Sequence, residues 1–347
     1  MNMTETSALK YESILNRRET EKAIDLIKTN FPVLMAKRLN LFKVSCPLAI
    51  IDGTGINDDL NGVERPVGFP IKNQDDARAV VVQSLAKWKR WQLAELEVAP
   101  GEGIFTDMRA LRPDEDYSPL HSLYVDQWDW EKRIPAEERT LSSLKNTVNA
   151  IYDTYKDIEK MVYDQFEDIT PVLPDEITFI HSEELVQQYP DLSPKEREYE
   201  ACKAYGAIFL IGIGSILSNG EKHDGRAPDY DDWCSENEDG FKGLNGDILV
   251  WNPVLENCFE LSSMGIRVDA PTLERQLKIA GEEKRKELFF HKKLLQGDLP
   301  ESIGGGIGQS RTCMFLLRKR HIGEVQSGIW PKEEVEKCLQ EGIKLMK

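Results

Sequence analysis

What this 347-residue chain lacks narrows its chemistry first. Its six cysteines (Cys46, Cys202, Cys234, Cys258, Cys313 and Cys338) stand far apart and form no Cys-x-x-Cys pair, which favours free buried thiols over a zinc site. The five histidines (His121, His181, His223, His291 and His321) show no His-x-x-x-His spacing, so each reads as structural or exposed rather than as a metal ligand. No apolar run approaches the roughly 20 residues of a membrane-spanning helix. The opening Met1-Asn2-Met3-Thr4-Glu5-Thr6 lacks the basic-then-apolar pattern of a signal peptide. The cytoplasm is therefore the expected location, with no membrane partner. Basic residues are in deficit: 44 Lys and Arg face 60 Asp and Glu, a net charge of −16. That balance opposes broad nucleic-acid binding, which depends on neutralising phosphates. Internal repeats, low-complexity tracts and long linkers are also missing. The expected organisation is an N-terminal extension over residues 1–17 and a single domain over 18–347.

What is present reads as a globular protein, with 40% hydrophobic and 30% charged residues. Residues 18–38 have a helical apolar face (Ala23, Ile24, Ile27, Val33, Leu34), with Pro32 expected to kink or restart the helix. Residues 41–50 read as extended, Val80-Val81-Val82 as a buried strand, and 121–130 as a strand with one polar face. The clearest helix covers 141–167, where Leu144, Val148, Ile151, Tyr155, Ile158 and Val162 recur at helical spacing. Ser193-Pro194-Lys195-Glu196 is a capping box with proline at the first helical position, so a helix should run to about Tyr205. Strands follow at 207–213, 247–251 and 261–268, then a helix over 271–295, then a glycine-rich turn leading into a helix from about Ser310. Central strands between long helices, without regular βαβ alternation, predict an α+β fold with a mostly antiparallel sheet flanked by helices.

Five groups of residues carry possible chemistry. Arg112 begins Arg112-Pro-Asp-Glu-Asp116, and its planar guanidinium could stabilise charge on a phosphate; alone, the run also fits a solvated loop. Gly304-Gly-Gly-Ile-Gly-Gln-Ser-Arg311 allows close backbone approach to a ligand and ends on an arginine suited to a phosphate or a nucleobase. It is neither a Walker loop nor a dinucleotide fingerprint. Asp247 and Glu260 fall on adjacent predicted strands and could hold Mg²⁺. Ser84-Leu-Ala-Lys-Trp-Lys-Arg90 places Lys89 and Arg90 where they could receive a carboxylate. The acids Asp58, Asp126, Asp129, Asp229, Asp231 and Asp232 include candidates for meeting a substrate ammonium, with Gln127 as a neutral partner.

In their order and separation, the Leu39–Pro47 segment, the Arg112 turn and the Gly304–Arg311 run resemble the three signature motifs of the class II aminoacyl-tRNA synthetase catalytic core. The resemblance goes further. Across residues 18–333 the chain is similar to ammonia-dependent asparagine synthetases (aspartate–ammonia ligases). It is carried by Ser84–Arg90, Ala110–Asp116, Ser118–Glu131, Arg226–Trp233, Leu244–Glu256, Glu260–Asp269 and Gly304–Arg311. That resemblance implies a class II synthetase-like core, a cytoplasmic homodimer, and amidation of L-aspartate by ammonia and ATP with Mg²⁺, through a β-aspartyl-adenylate, giving AMP and diphosphate. It implies catalytic roles for Arg112, Arg311, Asp58, Asp129 and Asp231. Ser84, Lys89, Arg90, Gln127 and Arg226 would bind substrate. Arg112, Ser262, Ser263, Gly306, Gly308 and Arg311 would bind ATP, and Asp247 and Glu260 the metal. One segment departs from the pattern: Asp52–Gly62 has an extra acid, so Asp59 could replace Asp58.

Two rival readings remain open at this point. An aspartyl-tRNA synthetase would need an anticodon-binding domain, for which only about 40 residues precede the first motif, and its nucleic-acid partner is disfavoured by the charge. A catalytically dead relative would usually have lost one of Arg112, Asp247, Glu260 or Arg311, and all four are present.

Overall fold

A computed structural model of the chain describes residues 11–58 and 64–347. The helices are α1 (Arg17–Leu39), α2 (Ala86–Glu95), α3 (Leu141–Gln165), α4 (Ser182–Gln188), α5 (Pro194–Tyr205), α6 (Ala270–Ala280), α7 (Phe289–Leu295), α8 (Gln309–Leu316) and α9 (Lys332–Glu341). The strands are β1 (Leu41–Lys43), β2 (Ala49–Ile51), β3 (Gly68–Ile71), β4 (Ala77–Val81), β5 (Gly103–Leu111), β6 (Tyr124–Arg133), β7 (Thr178–His181), β8 (Ala207–Ile211), β9 (Asn245–Asn252), β10 (Asn257–Ile266) and β11 (Ser302–Gly308). The large sheet has the order β1-β5-β6-β11-β10-β9-β8-β7, and a small one has the order β2-β4-β3. In the large sheet only the outermost pairs, β1 with β5 and β7 with β8, are parallel; its interior is antiparallel, as the sequence predicts.

Helices α1 and α3 cover one face of that sheet. The α3 stripe is fully buried: Leu144, Val148, Ile151, Tyr155, Ile158 and Val162 are each 0% exposed. Burial of such side chains contributes roughly 1.5–3 kcal/mol each. Thr140 caps the helix by accepting from the Ser143 N–H. The predicted capping box of α5 is formed by Ser193 and Glu196.

The apolar face of α1 differs from the one read in the sequence. Thr20, Ala23, Ile27, Phe31, Met35 and Leu39 point inward, while Val33 is 63% exposed. Phe31 stacks on Trp128 of β6 at 4.5 Å, and the helix continues through Pro32. The predicted 271–295 helix is also broken. Gly281 adopts φ +69° and ends α6, and a short 3₁₀ turn leads to α7. The 41–50 segment splits, β1 joining the large sheet and β2 the small one. Val80 and Val81 lie in β4, the centre strand of the small sheet.

The largest correction concerns the glycine run. It is not a turn: it forms β11, at the middle of the large sheet between β6 and β10. Residues 11–16, read as part of an N-terminal extension, lie against the C-terminal region. The Tyr11 N–H donates to the Glu341 carbonyl at 3.0 Å, and Lys319 reaches the Ser13 hydroxyl and, at 2.9 Å, that of Thr20.

Candidate active site

Strand alternation sorts β6 into two faces. Trp128 and Trp130 enter the core with α1 and α3, which turns Gln127, Asp129 and Glu131 to the opposite face. Their partners on β11 are Gly308, Gly306 and Gly304, in that order. A Cβ on Gly306 would stand 2.6 Å from Gln127 Oε1 and 3.3 Å from Asp129 Oδ1. Glycine is thus required because polar side chains of the neighbouring strand lie over the backbone. The result is a cavity of about 400 Å³ over the centre of the sheet, within the size range of small-molecule sites.

One end of the cavity is a set of buried ion pairs. From α2, Lys89 donates to Asp129 and, at 3.0 Å, to the Gly305 carbonyl. Arg267, just beyond β10, grips Glu131 through Nε and Nη2 at 2.9 and 2.8 Å and Asp231 through Nη1. Glu131 also accepts from the Ser302 hydroxyl at 2.7 Å. Burial pushes the Asp231 carboxyl above its ordinary range despite Arg267. It likewise pulls the Lys89 ammonium down despite Asp129. Burial pushes Glu131 up, but Arg267, Lys89 and the Ser302 hydroxyl together hold it below its usual range.

The other end is more open. Among the described residues, the Arg112 guanidinium donates to the Gln83 carbonyl, at 3.1 and 3.4 Å. Arg311, on the first turn of α8, pairs with Glu260 Oε2 at 3.3 Å and donates to His121 Nε2 at 2.7 Å. Since arginine can only donate, His121 must carry its proton on Nδ1, 2.9 Å from the Ser118 hydroxyl. Burial, then the Arg311 charge, depresses His121 to about 4, so the ring is neutral at neutral pH. Between the two ends, Arg226 donates to Asp247 and to the Ser263 hydroxyl. Burial and then the charge of Glu260 raise Asp247 to about 6.

The cavity wall gathers Asp58, Ser84, Lys89, Arg112, Gln127, Asp129, Arg226, Asp231 and Glu260, with Ser262, Ser263, Gly306, Gly308 and Arg311. Asp59, the alternative to Asp58, falls outside the described residues. Arg90 is a correction: it faces away, and its guanidinium donates to the carbonyls of Pro300 and Val268 at 2.8 and 2.6 Å. Asp247 stands behind Arg226 rather than in the wall itself. Of the remaining acids, Asp126 lines the cavity while bound by Lys28 and the Ser310 N–H. Asp229 is taken by Lys87, Arg285 and His291, and Asp232 by Arg139. Sequence reasoning did not nominate Arg267, Glu131 or His121. Arg267 had one signal, a lone arginine closing an apolar strand, which can be buried only against carboxylates.

The sequence model of the aspartate-ammonia ligase family matches residues 18–342. The chain belongs to that family. It is 56% identical over 336 residues to an aspartate–ammonia ligase of Bacteroides fragilis, and 53% identical to one of Clostridium perfringens, covering 97% of both chains in each case. Among solved structures it is similar to the asparaginyl-tRNA synthetase of Pyrococcus horikoshii complexed with asparaginyl-adenylate. The TM-score is 0.63 at 14% identity, covering 89% of this chain and 68% of that one. An aspartyl-tRNA synthetase of Entamoeba histolytica aligns with a TM-score of 0.58 at 15% identity, covering 93% of this chain and 63% of that one. At such identities the likeness establishes the class II synthetase-like fold. Among the described residues, no helix of this ligase-family member is long and apolar enough to cross a membrane.

Proposed function

We propose that the chain joins ammonia to L-aspartate, with ATP converted to AMP and diphosphate and a β-aspartyl-adenylate as the intermediate. The observation that carries this reading is one cavity with two differently charged ends, in a chain of the aspartate–ammonia ligase family. Its buried end offers both signs of charge to a small zwitterion. Lys89 and Arg267 would face the substrate carboxylates, and Asp58, Asp129 and Asp231 its ammonium, with Ser84 and Gln127 as neutral partners. The open end would take the nucleotide. Arg112 would stabilise charge on the α-phosphate as a side-chain oxygen of aspartate attacks phosphorus and diphosphate leaves. Arg311 would bind phosphate or the adenine ring, and Ser262, Ser263, Gly306 and Gly308 would shape the floor. Ammonia then attacks the acyl carbon, AMP leaves, and the added nitrogen gives up a proton. Asp58, Asp129 and Asp231 are the candidate acceptors; the upward shift of Asp231 moves it toward the range suited to that task.

Asp247 and Glu260 would hold magnesium in exchange for Arg226 and Arg311, their partners in this structure. Part of the upward shift of Asp247 comes from the Glu260 charge, and two mutually repelling carboxylates are a donor set for a hard cation that also takes phosphate oxygens. When bound, the ion would neutralise phosphate charge during transfer.

The same reading takes residues 18–347 as one catalytic domain, located in the cytoplasm and independent of nucleic acid. It also takes the chain as a homodimer formed through α1 and the following edge strand up to Pro47, where Val33 and Phe42 are exposed at 63% and 46%. Product analysis tests the reaction. With Mg-ATP, L-aspartate and ammonium but no tRNA, asparagine and AMP should appear. Aspartate-dependent exchange of diphosphate into ATP without asparagine would instead mean an adenylate-forming core with another acceptor. Light scattering showing a monomer at micromolar concentration would remove the dimer.

A further inference from the structure

Cys202 on α5 is fully buried, and Cys258, near the start of β10, is partly exposed beside the β9–β10 turn. Their sulfurs are 2.7 Å apart. A disulfide bond is about 2.05 Å long, so each sulfur needs to move only a few tenths of an ångström to form one. The other thiols have different neighbours. Cys46 meets the Asp107 carbonyl, Cys234 meets Arg275 and Cys338 meets Glu334. Among the described residues no other two cysteines are in hydrogen-bond contact. Neither Cys202 nor Cys258 lines the cavity, and the proposed reaction uses neither.

We propose that Cys202 and Cys258 form a dithiol modification site that closes to an intramolecular disulfide in the presence of a peroxide, tying α5 to β10. The thiolate of Cys258, a partly exposed residue, displaces hydroxide from hydrogen peroxide and becomes a sulfenic acid. The Cys202 sulfur then attacks that sulfur, the S–S bond forms and the second hydroxide leaves. The two thiols lose two protons and two electrons, the peroxide O–O bond takes up the electrons, and two waters result. A dithiol reductant reverses the change by exchange. The hydrogen bond to Cys202, then burial, raises the Cys258 thiol above its ordinary range. Thiolate is therefore scarce at neutral pH, and closure should speed up about tenfold per pH unit on the alkaline side of neutrality.

The tie has a defined mechanical meaning. The span of 56 residues between the two cysteines carries Asp224, Arg226, Asp231 and Asp247, which form or support one wall of the cavity. Cross-linking its ends restricts the unfolded chain. α5 already packs against β10, so the tie joins two elements that are neighbours in the fold. The disulfide therefore raises resistance to unfolding and leaves turnover within about twofold.

The test uses the whole purified chain and hydrogen peroxide. Reduced protein should show six reactive thiols after denaturation. Oxidised protein should show four of those six, a mass lower by two hydrogens, and one cross-linked peptide pair containing Cys202 and Cys258. The unfolding midpoint should rise by several degrees and return with dithiothreitol. Cys258→Ser, a change at a partly exposed position, should keep its midpoint whether or not peroxide is added. Three results would overturn the proposal: persistence of all six thiols, loss mapping to other cysteines, or oxygen added at Cys258 while Cys202 stays a free thiol. The mass and peptide readouts come from the unmutated chain, so they do not depend on a variant folding or on the reaction proposed above.

Discussion

At the end of the cavity beneath α2, Arg267 is locked between Glu131 and Asp231, and Lys89 is locked on Asp129, with every one of these side chains under 5% exposed. At the other end Arg311 is 23% exposed and faces a Glu260 that is 44% exposed, while Arg112, among the described residues, holds a backbone carbonyl. The two ends solve different problems. Under the proposed reading, a small zwitterion replaces water with charges already fixed in place, which suits a network in which each group pins another. Under the same reading, a nucleotide is large and enters from solvent, which suits arginines held by fewer or more exposed partners that can exchange them for phosphate. In the first region the charges are part of the fold; in the second they are available to the ligand.

Mutations can break that comparison. The largest effect is expected at Arg267. Arg267→Met strips buried Glu131 and Asp231 of their ion-pair partner and should cost about 3–5 kcal/mol of stability, read from urea unfolding. A cost below about 1 kcal/mol would mean the network is not interlocked. Next, Arg311→Ala and Arg112→Ala should each lower kcat/KM about 10²–10³-fold, with the unfolding midpoint almost unchanged. Near-normal activity in both would sink their assignment to the nucleotide. Gly306→Ala sharpens the boundary between the ends. Its methyl group would press on Gln127 and Asp129 and should raise KM for aspartate roughly tenfold, and KM for ATP by less, since Gly306 also floors the nucleotide end. An equal rise in both constants would show that the ends are not separate.

The smallest effect concerns pH. His121 is depressed to about 4 when folded, against an ordinary value of about 6.5. The folded chain therefore binds fewer protons than the unfolded chain between those two values. The resulting stabilisation is complete above the ordinary value and is lost as pH falls through the folded one. His121 is 40% exposed, so solvent weakens the effect. His121→Gln should flatten the stability profile in that window, and unaltered curvature would argue against a neutral ring beside Arg311.

The elements differ in how openly the sequence declared them. The α3 stripe and the Ser193 capping box depend on residues three or four apart, and both formed as read. The glycine run was misread as a turn because glycine has no side chain to carry a strand's alternation. Its role as a strand is set by Gln127, Asp129 and Glu131 on its neighbour. Arg90 differs from Lys89 because one residue along α2, about 100° around the helix, decides whether a cation faces the cavity or a pair of carbonyls. The face of α1 was misplaced because Phe31 and Met35, rather than Val33, meet β6 and α3.

By itself, then, the sequence determined the family, the mostly antiparallel α+β core and most of the cavity wall, since these rest on long runs of residue identity and on local periodicity. Only the tertiary structure decided which charges are locked and which are free. Arg267 meets Asp231 across 36 residues and Glu131 across 136, and Lys89 meets Asp129 across 40. Charge pairing at such separations is fixed by how strands stack and not by spacing along the chain.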